Sequence, residues 1–186
     1  ALEWLPAENV SVKFAYDKTE DDAEPKGLTR LASNGLCAFF TYQDCDPLPN
    51  NFDTESGMDP ANSTDAEGYS MIIDWDMGKY WSFRSITGRR ESQSINNIDF
   101  DTTPNKIADV FSDYWDEQTS QEIQFVYDGG QKLRGVFGLY YFDGEAGGLV
   151  KSVFLGVLSF INPVFVATSG TTYTESKAVF ADGSYD

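Results

Sequence analysis

The chain is predicted to be mainly β: a single antiparallel meander forming a barrel or a sandwich of about nine or ten strands, with one amphipathic helix. Three observations predict this. Aromatic residues make up 15% of the chain and glycines number 16, the composition of a packed, pleated chain and not of a disordered one. Val10, Val12, Phe14 and Tyr16 alternate with Ser11, Lys13, Ala15 and Asp17, the period of a strand with one covered face. Short apolar runs then recur between Gly, Asn, Asp and Pro pairs, at the spacing of consecutive hairpins. With 186 residues and a mass of 20.7 kDa, one domain over 1–186 is expected.

The elements follow in order. After the first strand comes the acidic stretch KTEDDAEPKG, and after the turn pair Asn34-Gly35 an apolar strand over 36–42. Residues 44–68 are rich in Asp, Asn, Pro, Ser and Gly and read as a long irregular loop of lid-like character. Residues 69–75 and 79–86 pair across Asp76-Met77-Gly78, while the polar stretch 87–97 reads as a connection. In TTPNKIADVFSDYWDE, Thr103 is placed as an N-cap and Pro104 at the first helical position. Ile107, Val110, Phe111, Tyr114 and Trp115 follow at helical spacing, which predicts the amphipathic helix. Beyond it, 121–128 and 132–142 flank Gly129-Gly130, a pair suited to a tight hairpin. Residues 143–148 and Ser169-Gly170 read as further turns, separating strands over 149–161, 164–168 and 171–180. The apolar run 149–167 is broken by Lys151, two serines and Asn162-Pro163, too short a run for a spanning helix. It reads as buried strands, with no membrane insertion.

Charge and missing residue types limit the chemistry. The chain has no histidine, and 30 acidic against 13 basic side chains leave a net charge of -17. Imidazole-dependent hydrolases and His-ligated metal sites are thereby excluded, and so negative a field opposes nucleic acid and anionic lipid surfaces. Secretion is expected from three cues: an N-terminal Ala1, as after removal of a signal peptide; Cys37 and Cys45, spaced for one disulfide; and glycosylation triplets at Asn9 and Asn62.

Aromatic density points to the function. Trp75, Tyr80, Trp81 and Phe83 cluster in one hairpin, and Tyr140 stands in a crowded strand where Gly135 and Gly138 leave room for close approach. The expectation is a secreted, non-enzymatic protein that holds a hydrophobic or amphipathic small molecule in a cavity lined by these residues. Two other readings stay open. An exposed row of the same rings would make a carbohydrate- or protein-recognition sandwich. Two carboxylates in one cleft, with Glu122 and Glu175 as the candidates, would make a glycan hydrolase. No cofactor is required, although Asp99 and Asp101 alternate in the manner of calcium-binding loops while lacking the Gly and Glu of an EF-hand.

Overall fold

The structure, a computed structural model, describes residues 1–24, 27–33, 35, 46–58, 61–130, 132–156 and 164–185. It is mainly β. Seven strands, β1 (Leu2–Ala7), β2 (Val10–Asp21), β3 (Asn62–Asp76), β4 (Trp81–Asp99), β5 (Ala108–Asp128), β6 (Leu133–Phe154) and β7 (Val164–Tyr185), form one sheet. They lie side by side in chain order, so the sheet is an antiparallel meander. It is open: β1 and β7 are its two outer strands.

The meander agrees with the sequence reading, but the strands are longer and fewer than the nine or ten expected, because three supposed breaks lie inside strands. Residues 87–97 continue β4, 143–148 continue β6, and Ser169-Gly170 lies within β7. In each stretch both faces carry polar or small side chains, so the alternation that identifies a half-buried strand disappears although the ladder does not. The expected long loop at 44–68 is shortened for the same reason, since Asn62 to Gly68 belong to β3, with Thr64 to Gly68 paired to Asp17 to Asp21 on β2 and Asn62 to Gly68 paired to Arg90 to Asn96 on β4. The two hairpin turns were placed well, with Gly78 at φ +116° and Gly130 at φ +86°, conformations that favour glycine.

The amphipathic helix is a correction. Residues 108–128 form β5, registered to β4 without a break from Trp81↔Tyr127 to Asp99↔Asp109. Val110 and Tyr114 fall on one face of β5 and Phe111 and Trp115 on the other. Apolar residues on both faces of a strand reproduce helical spacing by chance. Thr103 caps no helix: its backbone N–H and its hydroxyl both donate to Asp101 Oδ1. Neither a closed barrel nor a second sheet is formed by the described strands, which make a single layer.

Burial is concentrated at one end of that layer. Met58, Ile107, Arg30, Asp101, Thr103, Asp109 and Ser112 are buried there, where segments 27–33, 46–58 and 100–107 gather. Arg30 ties them together. Its guanidinium donates to Asp46 O (2.8 Å), to Thr102 O (2.6 Å) and to Glu55 Oε2 (3.2 Å), and Thr102 takes the left-handed φ of +56° that presents its carbonyl. Cys37 and Cys45 lie outside the described residues, as do Asn34 and 36–42.

Candidate functional site

Side chains of directly paired residues in an antiparallel sheet project to the same face, so the register assigns every residue to one of two faces. One face is built from rows of apolar and aromatic residues. Val10, Trp75, Phe83, Phe125, Phe137 and Ala181 make one row across β2 to β7; Val12, Ile73, Ser85, Ile123, Leu139 and Val179 make the next. Trp81 and Tyr127 close the band at the turn end, their rings 4.9 Å apart. Tyr16, Tyr69 and Tyr141 close it at the other side, with Tyr16 and Tyr69 at 4.8 Å. These rings are open to the surroundings: Trp81 is 48% exposed, Phe137 45% and Tyr16 45%.

The tyrosines have a direction. Tyr16 donates its hydroxyl to Glu67 Oε2 (3.2 Å) and Tyr141 to Asp143 Oδ2 (3.5 Å), so each ring joins the apolar band while its polar tip meets the charged rows beyond. There the same face changes character. Lys18, Glu67, Glu91, Glu117 and Glu145 stand directly opposite one another in a single row. Arg89 bridges Glu91 and Glu117 at 3.4 and 3.2 Å. Beside this row, Lys18, Asp65, Gln93 and Asp116 line an open trough of about 680 Å³.

Behind the apolar band, the opposite face is mixed, with ion pairs and amides set among Ile72, Ile86, Val136, Tyr140 and Phe180. Arg84 pairs with Asp74 (2.5 Å), and Gln124 donates to Glu122 Oε1 (2.5 Å). Arg90 reaches Asp17 at 2.9 Å across Gly68, where a Cβ would press on the Asp17 carboxylate. The connections are as asymmetric as the faces. At the apolar end, 8–9, 77–80 and 129–132 join the strands, whereas at the other end 22–61, 100–107 and 155–163 do so.

At the long-connection end lies a buried acidic cluster. Carboxylate oxygens of Asp99, Asp101 and Asp109 come within 4.8 Å of one another, because the β4–β5 register sets Asp99 opposite Asp109. Asp99 accepts from the backbone N–H groups of Gly57, Asp101 and Thr102, and Asp101 from those of Thr103, Ile107 and Ala108. Asp109 is different: it is 2% exposed and its Oδ1 has no hydrogen-bond partner among the described residues. Burial, with Asp99 and Asp101 close by, pushes its carboxyl up to about 6, and burial also raises Asp99.

The expected site residues are distributed as follows. Trp75, Trp81 and Phe83 share the apolar face, and Tyr80 sits in the adjoining turn with its ring 6.2 Å from Tyr127. Tyr140 is on the mixed face, opposite Glu122. Glu122 and Glu175 are not brought together: Glu122 aligns through Tyr140 with Ala178, three residues from Glu175, which therefore projects from the other face. Asn9 lies in a tight turn and donates to Asp76 O (2.9 Å); Asn62 opens β3. Asp99 and Asp101 do come together, and Asp109 is the partner that sequence reasoning missed. Its only signal is positional, since a hairpin centred near residue 104 sets 99 against 109. Comparison with protein-family models, curated proteins and solved structures finds no match, so the functional reading rests on the two faces of this sheet and on the cluster at its end.

Proposed function

We propose that this sheet is part of the wall of a transmembrane β-barrel, with its aromatic face against lipid and its ion-paired face toward a polar lumen. One observation carries the reading: a largely apolar band, crossed on β4 and β5 by the hydrogen-bonded Ser85, Thr87 and Gln121, edged by aromatic rings on both sides, and backed by charged pairs on the opposite face. That is the alternation of an outer-membrane-type barrel strand, in which lipid-facing and lumen-facing residues alternate and aromatic girdles mark both interfaces. The dimensions support it. On β3 the band runs over the nine residues 68–76, from beside Glu67 to the turn. At about 3.3 Å per residue this is roughly 30 Å of strand. Tilted by about 40°, it is roughly 23 Å tall, close to the ~25 Å band of such barrels.

The connections add to this, since membrane barrels have short turns on one side and long loops on the other. The acidic surplus is no obstacle to it, because the charges lie on the lumen face, beyond the girdle or level with it, where Arg89, Asp143, Glu175 and Lys177 share the rows of Tyr16, Tyr69 and Tyr141. A soluble ligand carrier would need Trp75, Trp81 and Phe83 turned inward around one cavity. Set in rows on an open single layer, they suit lipid better, as soluble monomers rarely leave so large an apolar patch uncovered. Closure needs strands beyond these seven, because the smallest barrels have about eight. An odd count leaves β1 and β7 pointing the same way, so antiparallel closure takes an odd number of added strands.

Depth-dependent quenching tests the reading. In vesicles whose acyl chains carry bromine, a variant retaining only Trp81 is expected to be strongly quenched, and one retaining only Trp115, which lies beyond the charged row, to be little affected. Equal quenching of both, or of neither, would count against insertion.

A further inference from the structure

We propose that Asp99, Asp101 and Asp109 form a calcium site that fastens the long connections to the end of the sheet. The reasoning starts from Asp109. A carboxylate that is 2% exposed and whose Oδ1 accepts no hydrogen bond from the described residues forfeits its hydration without replacement, a cost that folded chains rarely leave uncompensated. Its neighbours do not compensate it. Asp99 lies directly across the ladder and Asp101 beside it, and like charges set opposite one another in a sheet repel. Hydrogen bonding explains Asp99 and Asp101, whose oxygens hold the backbone of 101–108 and of Gly57. It does not explain why a third acid is enclosed with them.

A divalent cation does. Oxygens bound to one calcium lie about 2.3–2.6 Å from it and therefore up to about 5 Å apart, and the three carboxylates offer oxygens within 4.8 Å of one another. Among the described residues Asp109 Oδ1 has its lone pairs open, whereas Asp99 and Asp101 already accept from the backbone and would share their oxygens with the ion. Calcium fits better than magnesium, because it tolerates irregular coordination and completes its shell with carbonyls and water, whereas magnesium demands near-octahedral geometry. The three residues come from the end of β4, the 100–107 connection and the start of β5, and Asp99 Oδ2 also receives Gly57 N–H at 2.9 Å. Bound calcium would join four pieces of chain at one point.

The test uses the full chain, stripped with a chelator and titrated with calcium chloride by calorimetry. The expected result is one saturable site, weakened at least tenfold by Asp109→Asn with an unchanged circular dichroism spectrum. Hydrogen exchange of the unmutated chain with and without calcium gives a second reading, independent of any variant. Slowed exchange is expected at Gly57 and across 101–108. Absence of a saturable site, full binding by Asp109→Asn, or slowing confined to the exposed glutamate row would each overturn the proposal.

Discussion

Ile123 tests the orientation of the sheet most sharply. It stands on the apolar face, in the row with Val12, Ile73, Leu139 and Val179, near the middle of the band. In lipid, arginine at this depth costs about 2–4 kcal/mol, falling to about 0–1 near the interfaces. Ile123→Arg should therefore destabilise the inserted protein by about 3 kcal/mol, a shift of roughly 100-fold in the unfolding equilibrium. Tyr127→Arg, one turn-end row from the boundary, should cost no more than about 1 kcal/mol. Gln124→Arg, on the opposite face directly across from Arg84 and two residues from Glu122, should cost no more than about 1 kcal/mol.

Urea unfolding from phospholipid vesicles, followed by tryptophan fluorescence, measures all three from the displacement of the midpoint. The pattern is the discriminating result. In water the partly buried Ile123 would be replaced by an arginine whose head turns out to solvent at a cost of about 1 kcal/mol, so a soluble sheet would give three small values. Were Gln124→Arg the costly change and Ile123→Arg the neutral one, the faces would be assigned the wrong way round.

Two further outcomes are expected. Gly147 and Gly148 lie beneath the rings of Trp115 and Tyr114, and a Cβ at either would overlap the ring; Gly147→Val should expel the indole, cost about 1–3 kcal/mol through overpacking, and change the tryptophan emission in a variant that retains only Trp115. In chelator, the raised Asp109 carboxyl, at about 6 instead of 3.8, binds protons more readily folded than unfolded. Stability from this group is therefore full at low pH and is lost as pH rises from about 4 through 6, by something on the order of 3 kcal/mol. The difference between the unmutated chain and Asp109→Asn in urea midpoint at pH 4.5 and pH 7 isolates it from the other carboxylates.

What could be read from the sequence depended on water. Where one face of a strand is apolar, as from Val10 to Tyr16 or from Tyr69 to Trp75, alternation identified the strand and the meander order followed. Beyond Tyr69 and Tyr141 both faces are polar, so the second half of β4 and the middle of β6 and β7 looked like turns although their ladders are continuous. The helix was misread because Val110, Phe111, Tyr114 and Trp115 decorate two faces. Trp75, Trp81 and Phe83 were singled out together and do share a face, whereas Tyr140 does not, a distinction only register supplies. Asp109 was out of reach because its role comes from pairing across the hairpin.

The row of Glu67, Glu91, Glu117 and Glu145 explains why the apolar band ends where it does. Two unit charges about 5 Å apart repel by roughly 0.8 kcal/mol in water and by several times that in a medium of lower dielectric constant. Arg89 and Lys18 relieve part of that repulsion, and water screens the remainder. Neither remedy works in hydrocarbon, so the row sets a depth beyond which the sheet cannot enter a bilayer. Tyr16 and Tyr141, whose hydroxyls reach Glu67 and Asp143, stand at that limit. The segregation is sharp on one face only: behind the band, Arg84 with Asp74 and Arg90 with Asp17 keep the other face charged at the same height. A surface selected only for solubility has no reason to sort its charges by height on one face and not on the other, whereas a wall between lipid and water does.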